Sequence, residues 1–332
     1  RVYYMGVIEQ DWNYAPSGAN HQNSNRQSLT DFYVKNHPNT VGGTYKKAMF
    51  RHYTDETFIK EWPQPAHMAI TGPIIRAEVG DTLKIVFKNK GSRSYSFHAQ
   101  GVSYLKDSEG ALYVDGTSGS DKYDDFVRPG TTQTYIWTIR NENGPSLSDP
   151  SCIPWVYRSH VNFPRDTNTG LVGVLLTCKT GTLNYDHTRN DVNTELVVFN
   201  KAFDENQSWF IDSDLSRCGT TTVCETLRAT GEVDFVKSNI MRSINGIGFS
   251  NLNGLKACAG DKVAWYFLTV GNEKDSNTMF IEGQIMDIHH TSTASVYPGT
   301  AVVGLMIPRN PGKYGVNSMA EDNFGGRLRS FF

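Results

Sequence analysis

The loop from Lys106 to Asp125 concentrates carboxylates: Asp107 and Glu109 open it, and Asp121, Asp124 and Asp125 close it. Closely spaced carboxylates backed by chain carbonyls suit Ca²⁺, which takes about 6–8 oxygen ligands. An adjacent imidazole pair, His289-His290, follows a strand-like segment, where such pairs are ordinary surface. The five cysteines, Cys152, Cys178, Cys218, Cys224 and Cys258, form no CxxC pair, which excludes zinc ribbons and thioredoxin-type redox motifs. Cys218 and Cys224 are close enough in sequence to pair locally. No nucleophile elbow and no glycine-rich phosphate loop is present, and the remaining carboxylates are spread like ordinary surface. The tripeptide Asn206-Gln207-Ser208 marks Asn206 as a glycan acceptor and points to secretion.

The chain that must position these groups has 332 residues, enough for about two domains. A net charge of −2 offers no basic excess, so no nucleic-acid partner is expected. With 38% hydrophobic and 12% aromatic residues it has the apolar material for packed cores. The apolar runs, Gly170–Cys178 among the longest, fall short of the roughly 20 residues of a membrane span. No signal peptide stands at Arg1, as in a mature, processed chain.

The apolar pattern has period two. Leu83, Ile85 and Phe87 share a face, as do Tyr135, Trp137 and Ile139, and Val263, Trp265 and Phe267. Leu171–Leu176 and Leu196–Phe199 are continuous runs of the kind found in strands covered on both sides. The chain also repeats itself. Ala77–Leu83, Phe97–Gly101 and Pro129–Thr131 recur in the same order as Ala257–Val263, Met279–Gly283 and Pro298–Thr300. The expected fold is all-β, with two copies of one sandwich spanning residues 1–187 and 188–332 and a seam near Tyr185–Val192. The longer, more polar Ser208–Ser243 reads as an inserted loop.

Tyr53–Phe58, Gly72–Glu78 ahead of Gly80-Asp81, Phe97-His98 with Gly101–Tyr104, Asp124-Asp125 and Ser159-His160 make a distinctive series in the first half. Ser243–Gly246 and Gly271–Glu273 extend it into the second. In these residues the chain resembles the first two domains of ceruloplasmin and hephaestin and the A domains of coagulation factors V and VIII. The resemblance implies two tandem cupredoxin-like Greek-key β-sandwiches and a family activity of multicopper oxidation.

It also implies where the copper ligands should stand. A blue copper centre needs a thiolate and two imidazoles. The family's positions in the second domain read Asn277, Ser318, Asn323 and Leu328 here, and no cysteine follows Cys258. The HxH pairs of the oxygen-reducing site read His98-Ala99-Gln100 and Arg158-Ser159-His160, with Phe280-Ile281-Glu282 at the matching strand of the second half. His98 and His160 are therefore expected to approach each other as a remnant that holds at most one copper. Arg158 adds positive charge beside it. By the same resemblance, Ca²⁺ is held by the Lys106 backbone oxygen with Asp121, Asp124 and Asp125. A carboxylate at Asp121, where ceruloplasmin has Gln, should strengthen that site. Cys152 pairs with Cys178, and Cys258 finds its partner a few residues beyond Phe332, so that the parent protein continues.

The expected function is then a non-catalytic, secreted, calcium-binding module that binds or scaffolds other domains or protein partners, with no catalytic residue assigned. The alternative is an inert two-domain segment of a longer ferroxidase-type multicopper oxidase whose copper centres lie in other domains. A homotrimer of two-domain units would instead set His98 and His160 of one copy against the Glu282 region of the next.

Overall fold

The structure is a computed structural model, and it describes residues 1–21, 25, 27–271, 277–288, 292–318 and 329–332. The alternating segments are strands. Leu83, Ile85 and Phe87 are fully buried in the Thr82–Asn89 strand, and Tyr135 and Trp137 in Thr132–Thr138. Among the described residues the strands pair into four sheets. One five-stranded sheet runs in the order Thr44–Tyr53, Val2–Asn13, Thr82–Asn89, Thr132–Thr138, Ser103–Tyr104. It faces a four-stranded sheet of Gly72–Glu78, Val172–Cys178, Cys152–Arg158 and His98–Ala99. Phe50, Phe87, Phe97, Tyr135, Trp137 and Tyr157 fill the space between them.

The second half repeats the plan. Its five-stranded sheet runs Ile240–Ile244, Thr194–Asp204, Val263–Thr269, Ala301–Met306, Met286–Asp287. Its four-stranded sheet holds Ala294–Val296, Asn277–Ile281, Gly315–Ser318 and Arg329–Phe331. In both halves the first long strand lies parallel to the one that follows the Gly-Asp turn, Val2–Val7 beside Lys84–Asn89 and Thr194–Asn200 beside Val263–Thr269. The turns themselves match. Gly80 and Gly260 sit at φ +97° and +89°, a region that favours glycine. Asp81 Oδ2 accepts from the Glu78 N–H at 2.8 Å, and Asp261 Oδ2 from the Cys258 N–H at 2.9 Å. The sequence echo is thus a repeated piece of local physics.

Two expectations need correction. Ser208–Ser243 is not a bare loop: it carries the helices Ile211–Asp214, Thr221–Thr230 and Val233–Ser238, which bury Ile211, Cys224 and Phe235. The longest of them ends on Gly231 in the left-handed conformation. The Val263–Thr269 strand, whose pattern suggested one covered face, is buried along its whole length. Its other face, Ala264, Tyr266 and Leu268, packs in one cluster with Val174 and Leu176 of the first sandwich.

That shared cluster joins the sandwiches, and ion pairs reinforce it. Lys47 and Glu205, both fully buried, meet at 2.5 Å, and the ammonium also donates to the Asn168 carbonyl. Arg76 grips Glu195 at 2.6 Å and 3.1 Å. Among the described residues no helix is long and apolar enough to cross a membrane.

Candidate metal centre

His98 and His160 come together at one end of the first sandwich. His98 is paired across the sheet with Arg158, and His160 follows two residues later, where that strand ends. Their rings lie 5.3 Å apart between centroids at an interplanar angle of 59°. His98 Nδ1 is 2.7 Å from the Glu109 carbonyl oxygen. A carbonyl only accepts, so the ring proton sits on Nδ1 and the Nε2 lone pair is left bare. His160 Nδ1 is buried with no hydrogen-bond partner, and Phe163 stacks on its ring at 5.8 Å. Burial pushes the His98 imidazole down to about 4, helped by the positive charge of Arg158. Burial and then Arg158 lower His160 as well. Both rings are neutral near pH 7, the state a metal requires of them.

Arg158 itself lies with its guanidinium 4.7 Å over the Phe163 ring, and burial lowers its pKa. The arrangement therefore offers two imidazole donors beside a fixed cation. It fits two positions of a single copper. It does not fit a three-copper cluster, for Gln100, Arg158 and Phe280 bring no further imidazole. No group of three or more His, Cys, Asp or Glu able to hold a metal occurs among the described residues.

The acidic loop stands directly behind His98. Asp124 and Asp125 are fully buried, and each keeps one carboxylate oxygen, Oδ1, without a partner. Asp124 Oδ2 accepts from the Gly110 N–H at 2.7 Å, and Asp125 Oδ2 from the Lys122 ammonium at 2.8 Å. Burial, with Asp125 alongside, pushes the Asp124 carboxyl up to about 6, against the pull of the Gly110 N–H. Two buried oxygens without donors are the environment a bound cation would satisfy. Asp121 is half-buried on the Gly119–Lys122 turn, and Lys106 opens the Lys106–Ser108 turn. Asp115, which sequence reasoning missed, bridges the Lys106 and Lys122 ammoniums at 2.5 and 2.8 Å, and those bonds hold its carboxyl well below the usual range. Its local signal is the turn in which Asp115 Oδ1 accepts from the Thr117 N–H.

One peptide unit connects the two groups. The Glu109 carbonyl orients His98, and the N–H of the same Glu109–Gly110 peptide is held by Asp124. The Gly110 carbonyl accepts from Ser96 Oγ, which in turn accepts from the His160 N–H at 2.9 Å. Gly110 has φ +70°, and a Cβ there would lie 2.4 Å from the Phe97 carbonyl oxygen, so only glycine fits.

The other expected positions are scattered. Cys152 is bonded to Cys178 and Cys218 to Cys224, while Cys258 is exposed and free. The Asn206 amide donates to Asp204 Oδ1 and the Val236 carbonyl, so a glycan would displace bonds it already makes. Ser318 is a buried hydroxyl opposite Met279, where the resemblance requires a thiolate. His289, His290, Asn323 and Leu328 lie outside the described residues, and Asn277 is described in its backbone alone.

Comparison with known proteins agrees with this layout. The family described as Multicopper oxidase matches residues 67–179. Ferroxidase HEPHL1 of Homo sapiens is 41% identical over 331 residues, covering 97% of this chain and 28% of that protein. Hephaestin of Mus musculus is 39% identical over 100% of this chain and 29% of its own length. Ceruloplasmin of Ovis aries is 37% identical over 99% and 31%. The chain thus spans less than a third of the length of these curated relatives. A solved multicopper oxidase superposes with a TM-score of 0.61 at 16% identity, covering 100% of this chain and 88% of its own, which shows the shared fold.

Proposed function

Because this chain belongs to the multicopper oxidase family, alongside hephaestin and ceruloplasmin, we propose that it is a two-sandwich segment of a longer, ferroxidase-type oxidase whose copper centres are completed by other domains. The observation that carries this reading is similarity over 97% of the chain to only 28% of a relative named a ferroxidase. The stand-alone scaffold that the missing ligands first suggested is the weaker reading, since the relatives that match nearly the whole chain are a ferroxidase, hephaestin and ceruloplasmin.

Bound copper would supply one-electron redox chemistry to such an enzyme. His98 and His160 would hold one copper jointly with donors from elsewhere in the protein. The Glu109 carbonyl fixes the His98 tautomer and leaves Nε2 as the donor atom. Arg158 adds positive charge beside the seat and so favours the lower oxidation state of a metal there. At the position where the resemblance places the thiolate the second sandwich carries Ser318, and no cysteine follows Cys258.

In the same reading the acidic loop binds Ca²⁺ through the Lys106 backbone oxygen, Asp121, Asp124 and Asp125. The partnerless oxygens of Asp124 and Asp125 support this. The cation would fix the peptide that aims His98. Secretion is supported by the Cys152–Cys178 disulfide, a bond that persists in oxidising compartments. The test is elemental analysis of the full-length protein, with its intact mass. The proposal expects a mass well above 37.1 kDa and bound copper that falls in the paired His98→Ala and His160→Ala variant. A full-length protein devoid of copper, or one whose copper content ignores that variant, would contradict it.

A further inference from the structure

The arginines of the first sandwich divide by position. Among the described residues, Arg1, Arg51, Arg76 and Arg140 each meet a carboxylate. Arg93, Arg128, Arg158 and Arg165 meet none and lie over aromatic rings instead. These four stand at the end of the sandwich that carries His98 and His160. Their segments are laced together there. The Asn89 amide donates to the Arg93 carbonyl at 2.6 Å and to the Val127 carbonyl at 2.8 Å, and the Ser96 N–H donates to Ser159 Oγ at 3.1 Å. Arg158 borders the copper seat, and the other three are exposed.

Trp209 is the centre of the group. Its indole N–H donates to Asp166 Oδ1 at 2.8 Å and its backbone N–H to Thr169 Oγ1 at 3.1 Å, which fixes the ring. The guanidinium carbons of Arg93 and Arg165 each lie 4.6 Å from its centroid, so the two cations stand within twice that distance of each other. Like charges held this close repel, and the carboxylates beside them are already engaged. Asp166 is fully buried, and its oxygens are taken by Trp209, Ser159 and the N–H groups of Val161 and Asn162. Glu9 is held by Lys46 at 2.9 Å and by Ser92. Among the described residues the Arg93, Arg128 and Arg165 guanidiniums find no hydrogen-bond acceptor within the protein.

Such a surface selects a flexible chain of anions. A guanidinium that rests on a ring keeps its N–H groups for an oxyanion, which it grips with two parallel bonds. Exposed arginines on three separate segments suit several anionic groups along one chain better than one small ion. A net charge of −2 leaves no basic field around them for a long, stiff nucleic acid or a flat anionic membrane. The Cys152–Cys178 disulfide belongs to oxidising, extracellular surroundings, where the flexible polyanions are sulfated polysaccharides. We propose that this end of the first sandwich binds a sulfated polysaccharide, with Arg93, Arg165 and Arg128 each taking one sulfate group. The binding requires neither copper nor Ca²⁺.

Surface plasmon resonance of the full-length protein over immobilised heparin tests it. Heparin should bind saturably at about 0.15 M salt and release the protein at about 1 M, where the screening length is only ~3 Å. Chemically desulfated heparin should bind about tenfold more weakly. Arg165→Gln should weaken heparin binding about fivefold, and adding Arg93→Gln should weaken it further. Arg140→Gln is the same loss of charge at an exposed position beyond the far end of the Thr132–Thr138 strand, and it should leave the affinity unchanged. Absence of saturable heparin binding, equal binding of desulfated heparin, or an equal loss in Arg140→Gln and Arg165→Gln would overturn the proposal. So would tighter binding to a single-stranded oligonucleotide or to phosphatidylserine vesicles. The readout is blind to copper, so its failure leaves the oxidase reading where it stands.

Discussion

Asp124→Asn separates the cost of a buried carboxylate from its use. Burial raises this carboxyl from 3.8 to about 6. At about 1.4 kcal/mol per unit, holding it ionised at pH 7 costs the cation-free protein about 3 kcal/mol. The sign follows from linkage. A folded-state pKa above the unfolded value favours folding fully below about pH 4, and that advantage is lost as pH rises through about 6. Asparagine keeps the shape, still accepts from the Gly110 N–H, and removes the charge. In EDTA at pH 7.5 the variant should therefore match or exceed the wild type in stability. Ca²⁺ at a hundredfold over its Kd should add about 2.7 kcal/mol to the wild type and little to the variant. If the cation binds the ionised form, as proposed, the wild-type response should be small at pH 5 and complete by pH 7.5. Thermal unfolding with EDTA and with Ca²⁺ at both pH values reads all of this. A variant markedly less stable than the wild type in EDTA, with an undiminished Ca²⁺ response, would refute the reasoning.

Other expectations follow from the frame. Lys47→Met strands the fully buried Glu205 carboxylate without its cation and should cost about 3–5 kcal/mol in denaturant unfolding, most of it recovered by adding Glu205→Met. Gly80→Ala and Gly260→Ala meet no neighbouring atom, so each should cost about 1–2 kcal/mol from backbone conformation alone. Equal costs would show that the two turns are physically the same. Removing the Cys152–Cys178 bond, which closes a separation of 26 residues, should lower stability by about 3 kcal/mol when the paired Cys152→Ala and Cys178→Ala variant is unfolded in denaturant beside the wild type.

The sandwiches were legible because strand burial writes itself into period two and because the Gly-Asp turns at Gly80 and Gly260 need particular residues. What escaped has a common cause: the signal lay in tertiary contact. The Thr221–Thr230 helix is short, rich in threonine and buries only Cys224, so the helical spacing of Val223, Cys224 and Leu227 is too brief a pattern to stand out. The second covered face of Val263–Thr269 exists because another sandwich lies against it. Lys47 reads as a solvent-facing residue until Glu205, far along the chain, is brought beside it. At the metal centre, family resemblance brought His98 and His160 into view, since one histidine in each of two distant tripeptides has no spacing signal of its own. The peptide that connects His98 to Asp124 acts through backbone atoms, which residue types do not encode.

The most direct measurement is anomalous diffraction at the copper absorption edge from crystals of the full-length protein, with the visible spectrum recorded on the same sample. Copper density should appear beside His98 and His160, completed by side chains from another domain, and none should appear around Ser318. A copper bound wholly by residues 188–332, or no copper at the two imidazoles in an otherwise copper-loaded protein, would contradict the account.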